Sequence, residues 1–406
     1  MKTQKQTKKK MSQSTSSLRG NAWLLLCGAG AVLGLVAYIV RNKASISIEL
    51  AERRLLPDSV IRAGMRRAIQ GRIDAQSDAS SDDFIASMAT SPVAILQDKA
   101  NEQHYEVAPE FYKLVLGKAL KYSSCFFPEI EASTGTASAT LTSLDDAEVA
   151  MLALTCDRAE LADNQRVLEI GCGWGSLSLY MAARYPGSTF IAISNSHGQR
   201  QHIVSEMSRR GIKNLTVYTA DIAAWDPVKD GVTSLGGFDR VVSVECFEHL
   251  RNHGRLFARI ASWLRPGGAL FVHVFCSDRF AYPFDDVADD DWMARNFFSG
   301  GIMPSEKMFE QIAASATTKG ERLVLERRWR VNGCHYSRTL EAWLDRIDTQ
   351  SAKIEAVLGG PSPPYQPVST ARAVQKWRMF MMACSEFFKW NNGETFFVTH
   401  QLFRRN

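Results

Sequence analysis

The chain has 406 residues, of which 45% are hydrophobic and 22% are charged, with 27 glycines and 13 prolines. This composition is ordinary for a globular protein and excludes a fully disordered chain, a collagen and a coiled coil. The net charge of +5 is unevenly placed, because residues 1–72 hold 14 basic and 3 acidic residues and the remaining chain holds 34 and 40. The mildly acidic body gives no support to a nucleic-acid-binding face, and we expect no nucleic-acid partner.

Residues 21–40, NAWLLLCGAGAVLGLVAYIV, form an uncharged stretch after a basic tail at residues 1–20. Twenty residues at about 1.5 Å each span the roughly 30 Å apolar core of a bilayer, which favours a single transmembrane helix. A cleaved signal peptide and an organelle transit peptide are the alternatives, which the long apolar block and the Lys-rich tail favour less. We expect a membrane-anchored protein with a cytosolic catalytic domain, although basic residues on both sides leave the orientation open.

Residues 41–99 are expected to form a juxtamembrane region and linker, with the catalytic domain at 100–406. Helical patterns at about 107–121 and 145–162 precede an alternation of short apolar runs and helices. The apolar runs lie at 166–170, 189–194, 215–220, 238–244 and 268–275. Such alternation predicts an α/β fold with a parallel sheet and helices on both faces. Helices at 338–358 and 370–390 and a last strand at 395–403 complete the expected domain.

Eight cysteines are spread along the chain, at positions 27, 125, 156, 172, 246, 276, 334 and 384. None forms a Cys-x-x-Cys pair, so their spacing does not indicate a structural zinc site, and we expect no metal. A chain of this length buries a core that needs no disulfides, and we interpret the cysteines as reduced thiols.

A glycine-rich loop at 169–175, Glu-Ile-Gly-Cys-Gly-Trp-Gly, follows the first predicted strand and opens a helix. Its Gly-x-Gly-x-Gly spacing differs from the Gly-x-Gly-x-x-Gly fingerprint of dinucleotide-binding loops. With an acid two positions before the first glycine, it resembles the loop of class I S-adenosylmethionine-dependent methyltransferases. We therefore expect Glu169, Gly171, Gly173 and Gly175 to face S-adenosylmethionine.

Further cofactor contacts are expected where the next strands end, because ligands bind at the carboxyl edge of a parallel sheet. Ser194 and Asn195 stand at the end of the second strand, where an acid often holds ribose, and Gln199 lies early in the following helix. Asp221, at the end of the third strand, is placed to accept a hydrogen bond from an adenine amino group or to cap the turn that follows.

From about residue 100 onward the chain resembles the cyclopropane-fatty-acid synthase superfamily, and within it the plant coclaurine N-methyltransferase branch. Matching stretches cover about three-quarters of the chain, among them GKALKYSSCFF (117–127), SVECFEHLRN (243–252), FFSGGIMPS (297–305), HYSRTLEAWL (335–344) and WNNGETFFVTHQLF (390–403). The resemblance implies a Rossmann-like, mostly parallel seven-stranded sheet with a helical substrate cap. It also places Tyr122, Ser123 and Ile222 beside the cofactor.

The two branches of this superfamily do different chemistry. Cyclopropane synthases hold a bicarbonate base with a Cys, a Glu, a His and a Tyr, and the resemblance carries these positions to Ser124, Glu248, His273 and Tyr336. Ser124 replaces the cysteine, and Glu245 stands where the synthases usually have glycine. Both departures favour the N-methyltransferase branch.

Substrate contacts are expected at Ser124, His273, Phe298 and Tyr336. Ser124, His273 and Tyr336 are expected by resemblance to the bicarbonate site. Phe298 belongs to a set of aromatic residues in the C-terminal half that are suited to lining a pocket for an ammonium group. Such aromatic residues are more often part of a core, so this expectation has a structural alternative.

N-methylation requires a neutral nitrogen, yet an aliphatic amine with a pKa of about 10 is protonated at pH 7. A carboxylate or imidazole that accepts this proton typically contributes about 10²–10⁴-fold in rate. We expect Glu245, Glu248 and His249, just after the fourth strand, to play this role. Structural alternatives remain, since Glu248 is spaced to pair with Arg251 or Arg255. His249 has packing as its alternative role, and His273 in mid-strand is placed as a core residue.

These observations predict an S-adenosylmethionine-dependent N-methyltransferase that acts on a small amine, and the membrane segment favours an apolar one. The alternative is a lipid-modifying enzyme that methylates or cyclopropanates an unsaturated acyl chain, or methylates a lipid head group. The sequence leaves open whether the chain forms a homodimer.

Overall fold

The computed structural model describes residues 43–77, 81–95, 107–131, 142–233, 237–284, 292–318, 320–359 and 369–406. The expected membrane segment and the basic tail lie outside these residues. The chain divides into two compact units, Met1–Leu56 and Pro57–Asn406. In the first unit the structure describes helix α1 (Lys43–Glu52). Among the described residues, no helix combines the length and apolar character that a membrane crossing requires.

A central sheet organises the second unit. Its strands are β1 (Arg166–Ile170), β2 (Thr189–Ser194), β3 (Leu215–Thr219), β4 (Phe238–Val244), β5 (Leu264–Ser277), β8 (Thr317–Thr318), β9 (Glu321–Val331) and β10 (Phe396–Arg405), in the order β3-β2-β1-β4-β5-β10-β9-β8. The first five are parallel, and β10 runs antiparallel between β5 and β9. The expected mostly parallel seven-stranded sheet is confirmed, with the two-residue β8 added at one edge. A separate short pair joins β6 (Tyr282–Pro283) to β7 (Ile302–Met303).

The described helices of this unit are α2 (Asp58–Ser77), α3 (Ser81–Met88), α4 (Pro109–Val115), α5 (Pro128–Glu131), α6 (Leu144–Arg158), α7 (Ser176–Arg184), α8 (His197–Arg210), α9 (His253–Trp263), α10 (Trp292–Asn296), α11 (Met308–Ser315), α12 (Gly333–Thr349), α13 (Ser351–Leu358) and α14 (Thr370–Phe388). Side-chain caps fix several starts. Ser143, for example, accepts from the Asp146 backbone N–H before α6, as Ser and Thr commonly do at helix N-termini.

Two predicted helices differ in extent from those observed. The helix expected at 107–121 ends at Val115, because the backbone N–H groups of Gly117, Ala119 and Lys121 donate to the buried Glu148 side chain and not to helical carbonyls. The helix expected at 338–358 is broken at Gln350, where φ is −113° and α12 gives way to α13.

Buried side chains alternate between the two faces of the sheet. Leu168 and Val241 face one core with helices α9 and α11, whereas their neighbours Val167 and Val242 face a second core with α6 and α7. Because both faces are covered, the inner strands are mostly apolar. The cysteines within the described residues are all free thiols.

Helix α2 belongs to the compact unit, which therefore begins at Pro57, earlier than the domain start expected at residue 100. Arg62 contacts Glu341 on α12 at 2.6 Å and Glu386 on α14 at 3.0 Å. Arg66 contacts the other oxygen of Glu386 at 2.9 Å. These ion pairs add to the apolar contacts of α2, whose Ile61 and Ile69 are buried at helical spacing.

Candidate active site

A pocket opens at the carboxyl ends of β1, β2 and β4, where ligands of parallel sheets bind. The expected site residues that line it are Tyr122, Ser123, Glu169, Gly171, Gly173, Ser194, Asn195, Gln199, Ile222, Glu245 and His249. The same pocket is also lined by Lys121, Cys172, Trp174 and Cys246. In the described part of the chain, His, Cys, Asp and Glu side chains form no group of three or more suited to a metal ion.

The glycine loop gives the pocket a floor free of side chains. Gly171 and Gly173 have φ values of +79° and +52°, in the left-handed region that favours glycine. A Cβ atom on Gly171 would lie 2.6 Å from the Cys246 Sγ, whereas one on Gly173 would meet nothing within 4 Å. The open space at Gly173 is a cradle for a ligand that approaches the backbone closely. Gly175, also with positive φ, precedes the first residue of α7 and does not line the pocket. A Cβ atom on it would lie 2.6 Å from the side chain of Ile203 on α8.

Glu169 provides an acid at the end of this floor. It is 3% exposed, and the Ser178 hydroxyl donates to its Oε2. Burial raises the pKa of Glu169 to about 7, so a cationic ligand group beside it would favour its charged form. An acid, a bare glycine floor and the amide of Gln199, which the Ser194 hydroxyl contacts at 2.6 Å, together suit the amino acid and ribose parts of S-adenosylmethionine.

Asp221 takes the alternative role considered for it. Its Oδ1 accepts from the Ala223 backbone N–H at 2.7 Å, and Asp221 does not line the pocket, although its neighbours Ala220 and Ile222 do. Asp221 therefore caps the turn after β3, and the adenine contact expected of it stays a prediction.

The Glu245 carboxylate is held by three donors. Its Oε1 accepts from the Ser124 backbone N–H at 2.9 Å and faces Nε2 of His273 at 3.1 Å. Its Oε2 accepts from the Tyr336 hydroxyl at 2.5 Å. Glu245 itself has a φ of 44°, an uncommon conformation for a residue with a side chain. Ser124, His273 and Tyr336, which the resemblance assigned to a bicarbonate, thus surround the Glu245 side chain.

A buried cation stands behind this carboxylate. Lys121 is 1% exposed, and its Nζ donates at 2.6 Å to both the Ser123 hydroxyl and the Ser124 carbonyl. Burial raises the pKa of Glu245, while the positive charge of Lys121 and the Tyr336 hydroxyl act in the opposite direction. The pKa of Glu245 is raised overall and burial lowers the pKa of Lys121, so the lysine and the Tyr336 hydroxyl limit the effect of burial on Glu245 without reversing it.

Glu248 differs from Glu245 in having an oxygen without a partner. It is 1% exposed, it lies in the short 3₁₀ turn Phe247–His249, and its buried Oε2 makes no hydrogen bond in the described structure. Burial and the charge of Glu245 raise the pKa of Glu248 well above its usual range. The ion pair with Arg251 considered above has no support, since the Arg251 guanidinium donates to the carbonyl of Gly300 at 3.1 Å.

His249 and Phe298 stack face to face, with ring centroids 5.9 Å apart and planes 2° from parallel. Phe298 is half-buried and continues into an aromatic cluster, with rings within about 6 Å of it at Phe275, Phe284 and Phe380. The stack joins the acidic cluster to an aromatic wall.

His273 lies deeper than expected for a substrate contact. It is fully buried, and His400 on the neighbouring strand contacts its Nδ1 at 2.9 Å. Lys121, Glu148 and His400 were not anticipated as contributors to the site. Lys121, Glu148 and His400 lie far from Glu245 in the sequence, and no spacing motif links them to it.

Residues 95–397 match the family described as mycolic acid cyclopropane synthetase. The chain belongs to this family of S-adenosylmethionine-dependent methyltransferases. It is 31% identical over 384 residues to (S)-coclaurine N-methyltransferase of Thalictrum flavum subsp. glaucum, a match that covers 90% of this chain and 98% of the relative.

Solved structures of the family agree with this relationship. The crystal structure of a coclaurine N-methyltransferase bound to N-methylheliamine and SAH matches with a TM-score of 0.76 at 30% identity, covering 88% of this chain and 99% of that one. A cyclopropane synthase from Mycobacterium tuberculosis shares the fold, with a TM-score of 0.58 at 20% identity and coverage of 76% and 98%. The expected family, the cofactor S-adenosylmethionine and the class of S-adenosylmethionine-dependent N-methyltransferase are confirmed.

Proposed function

We propose that the chain methylates the nitrogen of an amine carried on an aromatic ring system, of the coclaurine type, and that Glu248 accepts the proton of that amine. The observation that carries the proposal is the contrast between two adjacent carboxylates. Glu245 has its oxygens engaged by Ser124, His273 and Tyr336, whereas Glu248 has a buried oxygen that makes no hydrogen bond.

This contrast supports a division of labour between the two acids. The donors to Glu245 and the charge of Lys121 favour its anion against the effect of burial, and the charged form attracts a cationic amine and raises the pKa of Glu248. A base with a raised pKa is better matched to an amine, because proton transfer is most efficient when the two pKa values approach each other. The unpaired Oε2 of Glu248 is then the acceptor for the amine proton.

S-adenosylmethionine supplies a methyl group bonded to a positively charged sulfur. The residues proposed to hold it are Tyr122, Ser123, Glu169, Gly171, Gly173, Ser194, Asn195, Gln199 and Ile222, which line one pocket. Glu245 and His249 line the same pocket, so an amine beside them lies next to the donor, whereas Glu248, between them in sequence, is buried and does not line it. Holding both reactants in line there accounts for much of the expected rate, as in other two-substrate enzymes.

Aromatic side chains suit this class of amine. The Phe298 ring on His249 and the Tyr336 ring, which stacks on Phe388 at 4.3 Å, offer faces to a flat apolar molecule. The faces of such rings also attract a cationic nitrogen. The relatives named above act on coclaurine or bind N-methylheliamine, which supports the same substrate class.

Cyclopropanation is disfavoured by the contacts of Glu245. The donors that the resemblance assigned to a bicarbonate base already donate to the Glu245 carboxylate. A second anion at that place would meet a buried negative charge with no free donors, which is costly in a protein interior. Amine methylation needs no such anion.

We further propose that residues 21–40 anchor the protein in a membrane, with the catalytic unit in the cytosol. The uncharged length of this segment and the basic tail before it support the anchor. A transit peptide remains the alternative. Sedimentation with membranes before and after removal of residues 1–56 tests the anchor, and continued sedimentation of the truncated protein would contradict it.

The substrate proposal is tested with the full chain and a methyl-labelled donor, offered a coclaurine-type amine and an unsaturated phospholipid in separate reactions. We expect label in the amine, on nitrogen, with S-adenosylhomocysteine formed in equal amount. Label confined to the acyl chains would overturn the proposal and favour the lipid-modifying alternative.

A further inference from the structure

Two fully buried histidines face each other across neighbouring strands. His273 on β5 and His400 on β10 are direct partners in the antiparallel register, and both are 0% exposed. Nε2 of His400 lies 2.9 Å from Nδ1 of His273, and the ring centroids are 4.7 Å apart. The pair extends at both ends. Nε2 of His273 reaches Glu245, and Nδ1 of His400 reaches Arg158, the last residue of α6, at 3.0 Å.

The guanidinium of Arg158 sets the direction of the whole chain of hydrogen bonds. A guanidinium only donates, so Nδ1 of His400 must accept and its proton must lie on Nε2. That proton points at Nδ1 of His273, which must accept in turn. The proton of His273 therefore lies on Nε2 and is donated to Oε1 of Glu245. Each ring nitrogen has one partner, and neither imidazole has room for a second proton.

We propose that Arg158, acting through His400 and His273, locks both imidazoles as neutral Nε2–H tautomers and thereby holds a donor on Glu245, so that Arg158 and His400 are positioning residues for methyl transfer. The inference rests on the proposed function for its catalytic consequence, but its tautomer assignment stands on geometry alone.

The environment of the pair supports the neutral form. Burial and the positive charges of Arg158 and Lys121 lower the pKa values of both histidines well below the usual range. The Arg158 guanidinium is itself held in place over the ring of Trp329, 5.2 Å from its centroid. Trp329 on β9 is the strand partner of His400. The pairing of β9 with β10 therefore places side by side the two residues that the Arg158 guanidinium contacts.

This directional chain has a consequence for proton transfer. Every bond in it donates towards Glu245, and a proton that reached Glu245 would meet the Nε2–H of His273. A proton could leave Glu245 through the histidines only if Nε2 of His273 accepted it. That nitrogen already carries a proton in the tautomer that Arg158 imposes. The chain therefore favours the Glu245 anion and does not conduct a proton outward from it.

The test uses the full chain with ¹⁵N-labelled histidine and the variants Arg158→Met and Arg158→Lys. Met retains an apolar stem over Trp329 but cannot donate, whereas Lys still donates. Arg209→Met, on the exposed face of α8, is the matched control. Long-range ¹⁵N–¹H spectra report the tautomer of each ring, and His400→Gln, which removes one ring signal, assigns the pair among the eight histidines.

We expect Nε2–H tautomers for His273 and His400 in the wild type and in Arg158→Lys, and a new Nδ1–H population for His400 in Arg158→Met. For methyl transfer, Arg158→Met should lower kcat about tenfold with an unchanged KM for S-adenosylmethionine, and Arg158→Lys should restore most of it. An Nδ1–H or cationic form of either ring in the wild type would overturn the inference, as would unchanged tautomers and kcat in Arg158→Met. The spectra need no substrate, so absence of amine methylation by the wild type would refute the proposed function and leave the tautomer assignment to be decided separately.

Discussion

The hydroxyl of Tyr336 donates to Oε2 of Glu245 at 2.5 Å, which ties helix α12 to the turn after β4. This bond acts to lower the pKa of Glu245, whereas burial raises it. Burial also raises the pKa of Tyr336 well above its usual range, so the phenol remains a donor throughout the working pH range. Tyr336 therefore helps to keep Glu245 charged without competing for the proton of the amine.

Replacing Tyr336 by Phe should make methyl transfer dependent on higher pH. Loss of the donor raises the pKa of Glu245, so its carboxylate ionises only at a higher pH than in the wild type. We expect kcat/KM for the amine to fall about ten- to a hundredfold at neutral pH and to recover partly in alkali. A pH profile that superimposes on the wild type would contradict this role. Tyr180→Phe, on the outer helix α7, serves as the control.

Two of the three loop glycines, Gly171 and Gly173, should respond differently to replacement by alanine. Gly171→Ala places a methyl group 2.6 Å from the Cys246 Sγ and should lower both stability and cofactor affinity. Gly173→Ala should cost only about 1–2 kcal/mol, the penalty of a left-handed residue, yet still weaken binding because its Cβ enters the pocket. Thermal unfolding and equilibrium dialysis with S-adenosylhomocysteine measure the two effects.

Gly211→Ala is the matched control for these variants. Gly211 ends α8 with a φ of +70°, and a Cβ atom there meets nothing within 4 Å. Its replacement should cost a similar amount of stability and leave cofactor binding unchanged. Equal loss of affinity in Gly173→Ala and Gly211→Ala would indicate that the loop acts on binding through stability alone.

Glu148 should make stability fall as pH rises from about 4.5 towards neutrality. Burial raises its pKa to about 7 despite the backbone donors Gly117, Ala119 and Lys121. Since the folded state keeps this proton at pH values where the unfolded chain has lost it, the free energy of unfolding declines between about pH 4.5 and 7, by up to about 1.4 kcal/mol per pH unit.

Denaturant unfolding at several pH values checks this expectation. Glu148→Gln removes the titrating group and should flatten the decline, whatever its effect on absolute stability. Glu310→Gln, at the surface on α11, should leave the slope unchanged. An identical slope in wild type and Glu148→Gln would show that the carboxyl does not titrate in that range.

Much of the fold could be predicted because its signals are local. The apolar strands, the caps and the glycine loop are each encoded within a few residues, and the position of Glu245, Glu248 and His249 follows from the end of β4. The loop glycines with positive φ were recognisable for the same reason. What these residues share is that neighbours in the chain determine their conformation.

The remaining features depend on contacts between distant elements. His400 lies 127 positions from His273, and only the strand register brings them together. Lys121 and Glu148 are buried charges, which composition alone assigns to the surface. Helix α2 joins the catalytic unit through Arg62 and partners more than 270 positions later. Which partner each of these side chains meets is decided by the tertiary fold, not by its neighbours in the sequence.

The contacts of α2 also predict where the chain can be shortened. A protein of residues 57–406 keeps Arg62 and Arg66, so we expect a stability close to that of the full chain. A protein of residues 90–406 leaves the Glu386 side chain, 2% exposed, without both arginines. Lys389 remains as a partner of Glu386 at 3.3 Å, so we expect a lower melting temperature from the loss of two ion pairs and of the buried Ile61 and Ile69. Thermal unfolding compares the two, and equal melting temperatures would contradict the assignment of α2 to the catalytic unit.

The most direct test of the proposed mechanism is methyl transfer by Glu248→Gln under single-turnover conditions, together with S-adenosylhomocysteine affinity by dialysis. The amide keeps the size of the side chain but cannot accept the amine proton. We expect transfer about 10²–10⁴-fold slower at neutral pH, unchanged S-adenosylhomocysteine affinity, and no comparable loss in Glu310→Gln. Transfer at the wild-type rate by Glu248→Gln would contradict the assignment of Glu248 as the base.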